Sequence, residues 1–327
     1  MIIIRTPYRI SFFGGGTDYP HWYKKYKGKT ISTSINKFSY IILSELKNFF
    51  KYKYRIRYYY REEAKNVDSI KHPTIRNLIK FKKLKQGISL YHYGDLPAKT
   101  GIGSSSSFTV GLSLGINYLQ KKNTSLKNIY TDAIFIEQKL NKEHVGSQDQ
   151  IITTLGGFRV INYYKNKIIV KNLERYKKNI EIIEKSCLLF YSGSQRNSGN
   201  ITKKNLLSIN KKYKYYSMLY KIASKAEKLI CSDKFTLKKF SSLLDESWKV
   251  KEKTSDIISN NKIKSLYAIA KKNGAMAGKL LGAGQSGFML FIVKNEDRNR
   301  IKKALRNYVS IDIKFENEGT KIIYEKN

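Results

Sequence analysis

Metal and redox signatures are largely missing from this chain. Its 327 residues include only two cysteines and four histidines. Cys187 and Cys231 lie far apart, in a strand-like and a helix-like stretch. They read as buried free thiols, which makes a reducing cytoplasm the expected compartment. His21, His72, His92 and His144 show no metal-ligand spacing. No apolar run approaches the ~20 residues of a membrane span. The opening M-I-I-I-R-T-P lacks the basic-then-apolar layout of a secretory signal. Internal repeats and low-complexity linkers are absent.

Acidic residues are also scarce: 25 Asp and Glu against 63 Lys and Arg, a formal net charge of +38. Such a balance raises a nucleic-acid footprint as one reading. The lysines are spread along the whole chain, however, and no helix-turn-helix, zinc-finger or RNA-binding signature accompanies them. Lys, Ile, Asn and Tyr are abundant together, as an A/T-rich genome would produce. A solvated basic surface that attracts phosphorylated small molecules is therefore expected, with no specific nucleic acid. The hydrophobic content of 41% and charged content of 27% fit a soluble globular protein. The length suits two domains.

The chain is organised around Lys99 to Phe108, K-T-G-I-G-S-S-S-S-F. Ile88 to Tyr93 before it reads as a strand, and Thr109 to Leu119 after it has apolar residues at helical spacing. A Gly-rich turn thus feeds a helix N-terminus. Gly101 and Gly103 can adopt positive φ, and Ser104 to Ser107 place N–H groups and hydroxyls at the positive end of the helix dipole. This is a phosphate cradle. The alternative is a solvent-exposed Gly/Ser loop with a serine N-cap. The Walker pattern is excluded, because no Gly-Lys-Ser/Thr follows. The dinucleotide fingerprint is excluded by its missing third glycine.

Three further regions stand out. Ile2 to Arg5 is a short strand, followed by T-P-Y-R-I-S-F-F-G-G-G-T-D-Y-P, in which Gly14 to Gly16 permit unusual backbone angles or close approach of a ligand. A flexible hairpin turn is the other reading. Leu126 to Leu140 is expected to be helical and carries Glu137. Asp149 follows at the start of another helix, as either a capping carboxylate or one half of a base and metal-ligand pair. Lastly, Ala277 to Val293 is a glycine-punctuated turn running into an apolar strand. Further strands are expected within Thr30 to Leu46 and Lys53 to Tyr60, and helices over Pro73 to Leu84 and most of Lys203 to Val250. The charged stretch Lys165 to Lys178 marks the domain boundary, with an N-terminal domain at 1–170 and a C-terminal domain at 171–327.

Taken in order, Arg9 to Tyr19, G-I-G-S-S-S-S at 101–107 and L-L-G-A-G-Q-S-G-F at 280–288 resemble the GHMP kinase superfamily. R-I-S-F-x-G-G-G-T-D, G-x-Q-D-Q and Y-S-G-x-x-R-x-S resemble its sugar-1-kinase branch. That resemblance implies an α+β, two-domain fold with the active site in the cleft between domains. It implies ATP and Mg²⁺ as cofactors, and a phosphorylated sugar as partner. The expected acceptor is a heptose 7-phosphate, with a fucokinase-like enzyme as the alternative. The oligomeric state is left open between monomer and homodimer.

Site roles carry over position by position. Gly101, Ile102, Gly103, Ser104, Ser105, Ser106 and Ser107 would wrap the ATP phosphates. Ser105 and Glu137 would hold Mg²⁺. Asp149 would be the catalytic base with Arg9 beside it. Gly15, Gly16, Thr17, Asp18 and Gly284 would face the sugar, with Gly282 and Gly287 shaping the last turn. Arg196 is the candidate for the sugar phosphate, because arginine can grip phosphate bidentately. Two departures are visible. Galactokinases carry Glu-His where this chain has Gly15 and Gly16, and Gln285-Ser286 replaces the usual Gly-Gly.

Overall fold

The computed structural model describes residues 1–193, 212–254, 258–282 and 284–326. The first sheet is built on two long strands, β1 (Ile2–Phe13) and β2 (Gly28–Leu46), paired antiparallel from Ile2↔Leu43 to Phe13↔Ile31. The expected end of the first strand at Arg5 is corrected, since β1 continues through Pro7 to Phe13. Proline cannot donate to a ladder, and the register shifts between Pro7 and Tyr8. The long strand delivers Arg9 and Ser11 to the middle of the molecule.

A short helix α1 (Pro20–Tyr23) lies between these strands. Then come β3 (Tyr54–Arg57), β4 (Arg61–Ala64), α2 (Pro73–Lys82) and β5 (Gly87–Gly94). Helix α3 (Ser104–Leu119) leaves the Gly/Ser loop, followed by α4 (Leu126–Phe135), α5 (Gln148–Leu155), β6 (Phe158–Tyr163) and β7 (Ile168–Asn172). β5 pairs the second half of β2, while β6 pairs its first half.

The second sheet runs Val309–Ile311 (β11), Cys187–Tyr191 (β8), Phe288–Ile292 (β10), Ala277–Leu280 (β9), with α6 (Lys177–Ser186) leading into β8. Helices α7 (Tyr213–Ile230), α8 (Leu237–Glu252) and α9 (Asn261–Lys272) precede β9 (Ala277–Leu280). β10 (Phe288–Ile292), α10 (Arg298–Ala304) and β11 (Val309–Ile311) complete it. Every residue of β10 is buried, which accounts for its unbroken apolar run.

The last strands, β12 (Phe315–Glu316) and β13 (Lys321–Glu325), return to the first sheet, against β2 and β1 respectively. A cut at 170/171 falls inside β7, which pairs β6. Sequence halves and sheets therefore do not coincide. One apolar cluster joins Ile10, Phe12 and Phe13 of β1 to Phe240 and Leu244 of α8 and Leu290 of β10. The Phe13 and Phe240 rings stand edge to face, 5.3 Å apart. The two sheets share this core, and the Gly/Ser loop and the Gly14–Gly16 turn lie at its rim. Cys187 and Cys231 are both free.

Candidate active site

The Gly/Ser loop enters α3 at Gly103, whose φ of +76° is left-handed, a conformation open to glycine at little cost. The N-cap makes no side-chain bond, so first-turn N–H groups point outward without a cap, as an anion site requires. A Cβ at Gly103 would lie 3.2 Å from Arg9 Cγ and 3.4 Å from Asp149 Oδ2. The loop therefore rests directly on those two residues. Its four serines separate by helix phase. Ser104 accepts the Lys99 N–H at 3.4 Å, and Ser105 is exposed. Ser106 donates to Glu137 Oε2 at 2.9 Å. The Ser107 hydroxyl faces the carbonyls of Pro7 and Gly103, each at 3.0 Å.

Arg9 and Asp149 form a fork. Arg9 Nε donates to Oδ1 at 2.8 Å and Nη2 to Oδ2 at 2.5 Å, while Nη1 donates to the Gly101 carbonyl at 2.5 Å. The capping alternative for Asp149 is not what the structure adopts: its carboxylate turns from the α5 N-terminus toward Arg9. Gln148 braces the pair, accepting from Ser11 Oγ at 2.8 Å and donating to Asp149 Oδ1 at 3.3 Å. The arginine side chain is 6% exposed and the aspartate 25%. The guanidinium is thus fixed inside, and the carboxylate is the more exposed of the two.

Glu137 comes from an element that periodicity does not predict. The expected helix Leu126 to Leu140 ends as an α-helix at Phe135 and continues as a π turn over Ile136–Leu140. Such turns often mark functional sites. The wider turn sends Glu137 fully inside. Its Oε2 also accepts from Gln150 Nε2 at 2.5 Å, and its Oε1 has no partner among the described residues. Burial, then the neighbouring Glu143 carboxylate, pushes its pKa up to about 8. The structure brings Ser106, and not Ser105, to this carboxylate.

The Gly14–Asp18 turn is held from within. Thr17 is fully buried, and its hydroxyl bonds the carbonyls of Gly14 and Lys29 and the Lys29 N–H. Its side chain is therefore a clamp on the turn. Asp18 accepts the Gly16 N–H at 2.9 Å and the Gln148 N–H at 3.4 Å. Burial raises its pKa, the Gly16 N–H opposes that, and Asp149 adds to it. Gly16 has φ +105°, and a Cβ there would lie 2.8 Å from the Tyr216 ring and 3.0 Å from Lys251 Nζ. No side chain fits at the second of the two positions where galactokinases carry Glu-His.

Two lysines that sequence reasoning passed over complete the site. Lys251, at the end of α8, donates to the Gly15 carbonyl at 3.0 Å. Lys279, in β9, donates to the carbonyls of Ser11 and Phe12 at 2.7 and 2.8 Å. Burial lowers the Lys251 pKa to about 8 and, with repulsion from Lys251 and Arg9, that of Lys279 to about 7.

The third glycine-rich segment closes on the loop. Phe288 N–H donates to the Thr100 carbonyl at 3.1 Å, and a Cβ at Gly287 would be 2.2 Å from that oxygen. Gln285 adopts φ +66° and donates its N–H to the Ile258 carbonyl, against which Gly284 also packs. The turn forms with glutamine in place of glycine. Ser192 bonds both the N–H and the carbonyl of Gly287, while Arg196 lies outside the described residues.

The N-terminal domain of GHMP kinases matches residues 70–157, from α2 through α5. The chain is 30% identical, over 97% of both lengths, to the D-glycero-alpha-D-manno-heptose 7-phosphate kinase of Campylobacter jejuni. It is 21% identical over 71% of its length to the bifunctional fucokinase/GDP-fucose pyrophosphorylase of Arabidopsis thaliana, covering 22% of that protein. Among solved structures, a D-glycero-D-manno-heptose 1-phosphate kinase from Bacteroides thetaiotaomicron superposes with a TM-score of 0.82, at 20% identity and full coverage of both chains. The galactokinase of Lactococcus lactis gives 0.77 at 14% identity, covering 98% of this chain and 94% of its own. With a relative at this identity along nearly its whole length, and with that family's fold, the chain belongs to the GHMP kinase family.

Proposed function

We propose that this protein is an ATP-dependent kinase acting on the anomeric hydroxyl of D-glycero-D-manno-heptose 7-phosphate, giving the 1,7-bisphosphate for nucleotide-activated heptose and surface polysaccharide synthesis. The observation that carries this reading is the Arg9–Asp149 fork pressed against the Gly/Ser loop. A carboxylate oriented on both oxygens, beside uncapped helix N–H groups, suits removal of a proton next to a bound phosphate chain. The full-length likeness to a heptose 7-phosphate kinase supports the acceptor.

Phosphoryl transfer depends on positioning and charge neutralisation. The loop N–H groups from Gly101 to Ser106 would hold the phosphates. Asp149 would accept the proton of the anomeric hydroxyl as its oxygen bonds to the γ-phosphorus and the bond to the bridging oxygen of ADP breaks. Arg9 keeps the carboxylate oriented, and Asp18 would receive sugar hydroxyls.

Mg²⁺ fits this chain at Ser106 and Glu137. Glu137 is a fully buried carboxylate with one unpartnered oxygen, set beside a serine hydroxyl at the cradle. Because Mg²⁺ usually keeps several waters, these two protein ligands would suffice. When bound it would neutralise charge on the transferring phosphates.

The names of the two heptose relatives differ in phosphate position. The test is therefore ATP consumption with D-glycero-D-manno-heptose 7-phosphate, the free heptose, the heptose 1-phosphate and L-fucose. The expected outcome is the highest kcat/KM for the 7-phosphate, with a product phosphorylated at C1. A preference for L-fucose would favour the fucokinase-like alternative.

A further inference from the structure

Resting on the acceptor reading above, we propose that Lys251 is the residue that binds the phosphate group of the acceptor sugar, with Lys279 supporting it electrostatically. Lys251 stands at the Gly14–Gly16 turn, its ammonium over the Tyr216 ring and on the Gly15 carbonyl. That bond uses one of its three N–H groups. Among the described residues no carboxylate lies within ion-pair distance of Lys251 or Lys279, although 16 such pairs occur elsewhere. On so basic a surface an unpaired lysine is ordinary. These two are half-buried with their ammonium groups on main-chain carbonyls, where an uncompensated ammonium is costly.

The charges of the site can be balanced by residue. Arg9 and Asp149 neutralise each other in their fork. Asp18 answers one of the two lysines at longer range. Asp18 acts on Lys251, so Lys279 remains without a counter-charge among the described residues and is repelled by Lys251, and the pair carries net positive charge beside the sugar turn. A bound dianion would satisfy both lysines. Burial lowers the Lys251 pKa, and burial with repulsion from Lys251 and Arg9 lowers that of Lys279; a phosphate there would raise both again. Lys279 already bonds two main-chain carbonyls, so its part is to hold β1 and add to the field. Lys251 keeps the free donors.

The test compares kcat/KM for the heptose 7-phosphate and for the free heptose in the wild type, Lys251→Met and Lys251→Arg. The expected result is a wild-type preference for the phosphate that shrinks roughly 10-fold or more in Lys251→Met, as for loss of a charge-assisted bond, and largely survives in Lys251→Arg. The loss should appear in KM for the phosphorylated acceptor. A second measurement needs no variant: lysine labelling of the wild type, read by mass spectrometry. The sugar phosphate should protect Lys251, and the free heptose should not. If the wild type prefers the free sugar, the acceptor reading and this one fall together. If the wild type prefers the phosphate but Lys251→Met keeps the full preference, or the phosphate gives no protection, the assignment of Lys251 alone is wrong. Collapse of the preference in Arg196→Ala, with Lys251→Met unaffected, would move the phosphate to Arg196.

Discussion

Asp149 and Arg9 are separated by 140 positions and meet through two directional bonds. Replacing Asp149 by Asn keeps the volume and most of the fork while removing the proposed base. Turnover should fall ~10²–10⁴-fold with nucleotide affinity nearly unchanged, measured by steady-state kinetics alongside ATP binding. The serines allow a sharper comparison. Ser106→Ala should raise the Mg²⁺ concentration needed for half-maximal activity, and Ser105→Ala should leave it near the wild-type value. The reverse order would return the metal contact to Ser105. Four consecutive serines look alike in sequence. Only the phase of α3 against the π turn tells them apart.

At the scale of the element, the Gly14–Thr17 turn is fixed on both sides. Thr17 locks it from below, and Tyr216 and Lys251 of the C-terminal helices close over Gly16. Gly16→Ala adds a methyl at a left-handed φ, where a side chain costs ~1–2 kcal/mol, before the contact with Tyr216 is counted. The expected outcome is a lower melting temperature together with a raised KM for the acceptor, while ATP affinity is kept. An unchanged acceptor KM would place the sugar away from this turn. The π turn has a similar standing. Its residues are good helix formers, so periodicity alone extends the helix to Leu140. What widens the turn is the set of partners awaiting Glu137 inside: Ser106 and Gln150.

At the scale of the whole molecule, the chain's end completes the sheet it began. β13 pairs β1, and Thr320 meets Thr6 hydroxyl to hydroxyl at 2.7 Å. A chain stopped after residue 313 would leave the β1 edge unpaired and remove the Phe315 ring from beside Phe12 and Phe158. Denaturant unfolding should show a substantial loss of stability, accompanied by loss of ATP binding, although no residue of the deleted segment belongs to the proposed nucleotide site. Retained ATP binding would show that the N-terminal sheet stands without its returning strand.

Much of this architecture is written locally. The apolar runs of β5 and β10, the spacing of α3 and the glycines of the Gly/Ser loop each specify their own backbone, because period and steric freedom act over a few residues. Arg9, Asp18, Glu137 and Asp149 were singled out because they stand in short segments that resemble the motifs of a kinase family. The facts that need the third dimension concern partners far apart in sequence. Pro7 does not end β1 because β2 accommodates a bulge there. Ser106, and not Ser105, meets Glu137 because of the phase of α3 against a neighbouring turn. Residues 315–316 and 321–325 join the sheet formed by the first half of the chain. Lys251 and Lys279 disappear among 63 cationic residues, and only packing singles them out. Partial burial sets both lysines on main-chain carbonyls with no carboxylate at ion-pair distance among the described residues, and burial is a property of the assembled fold.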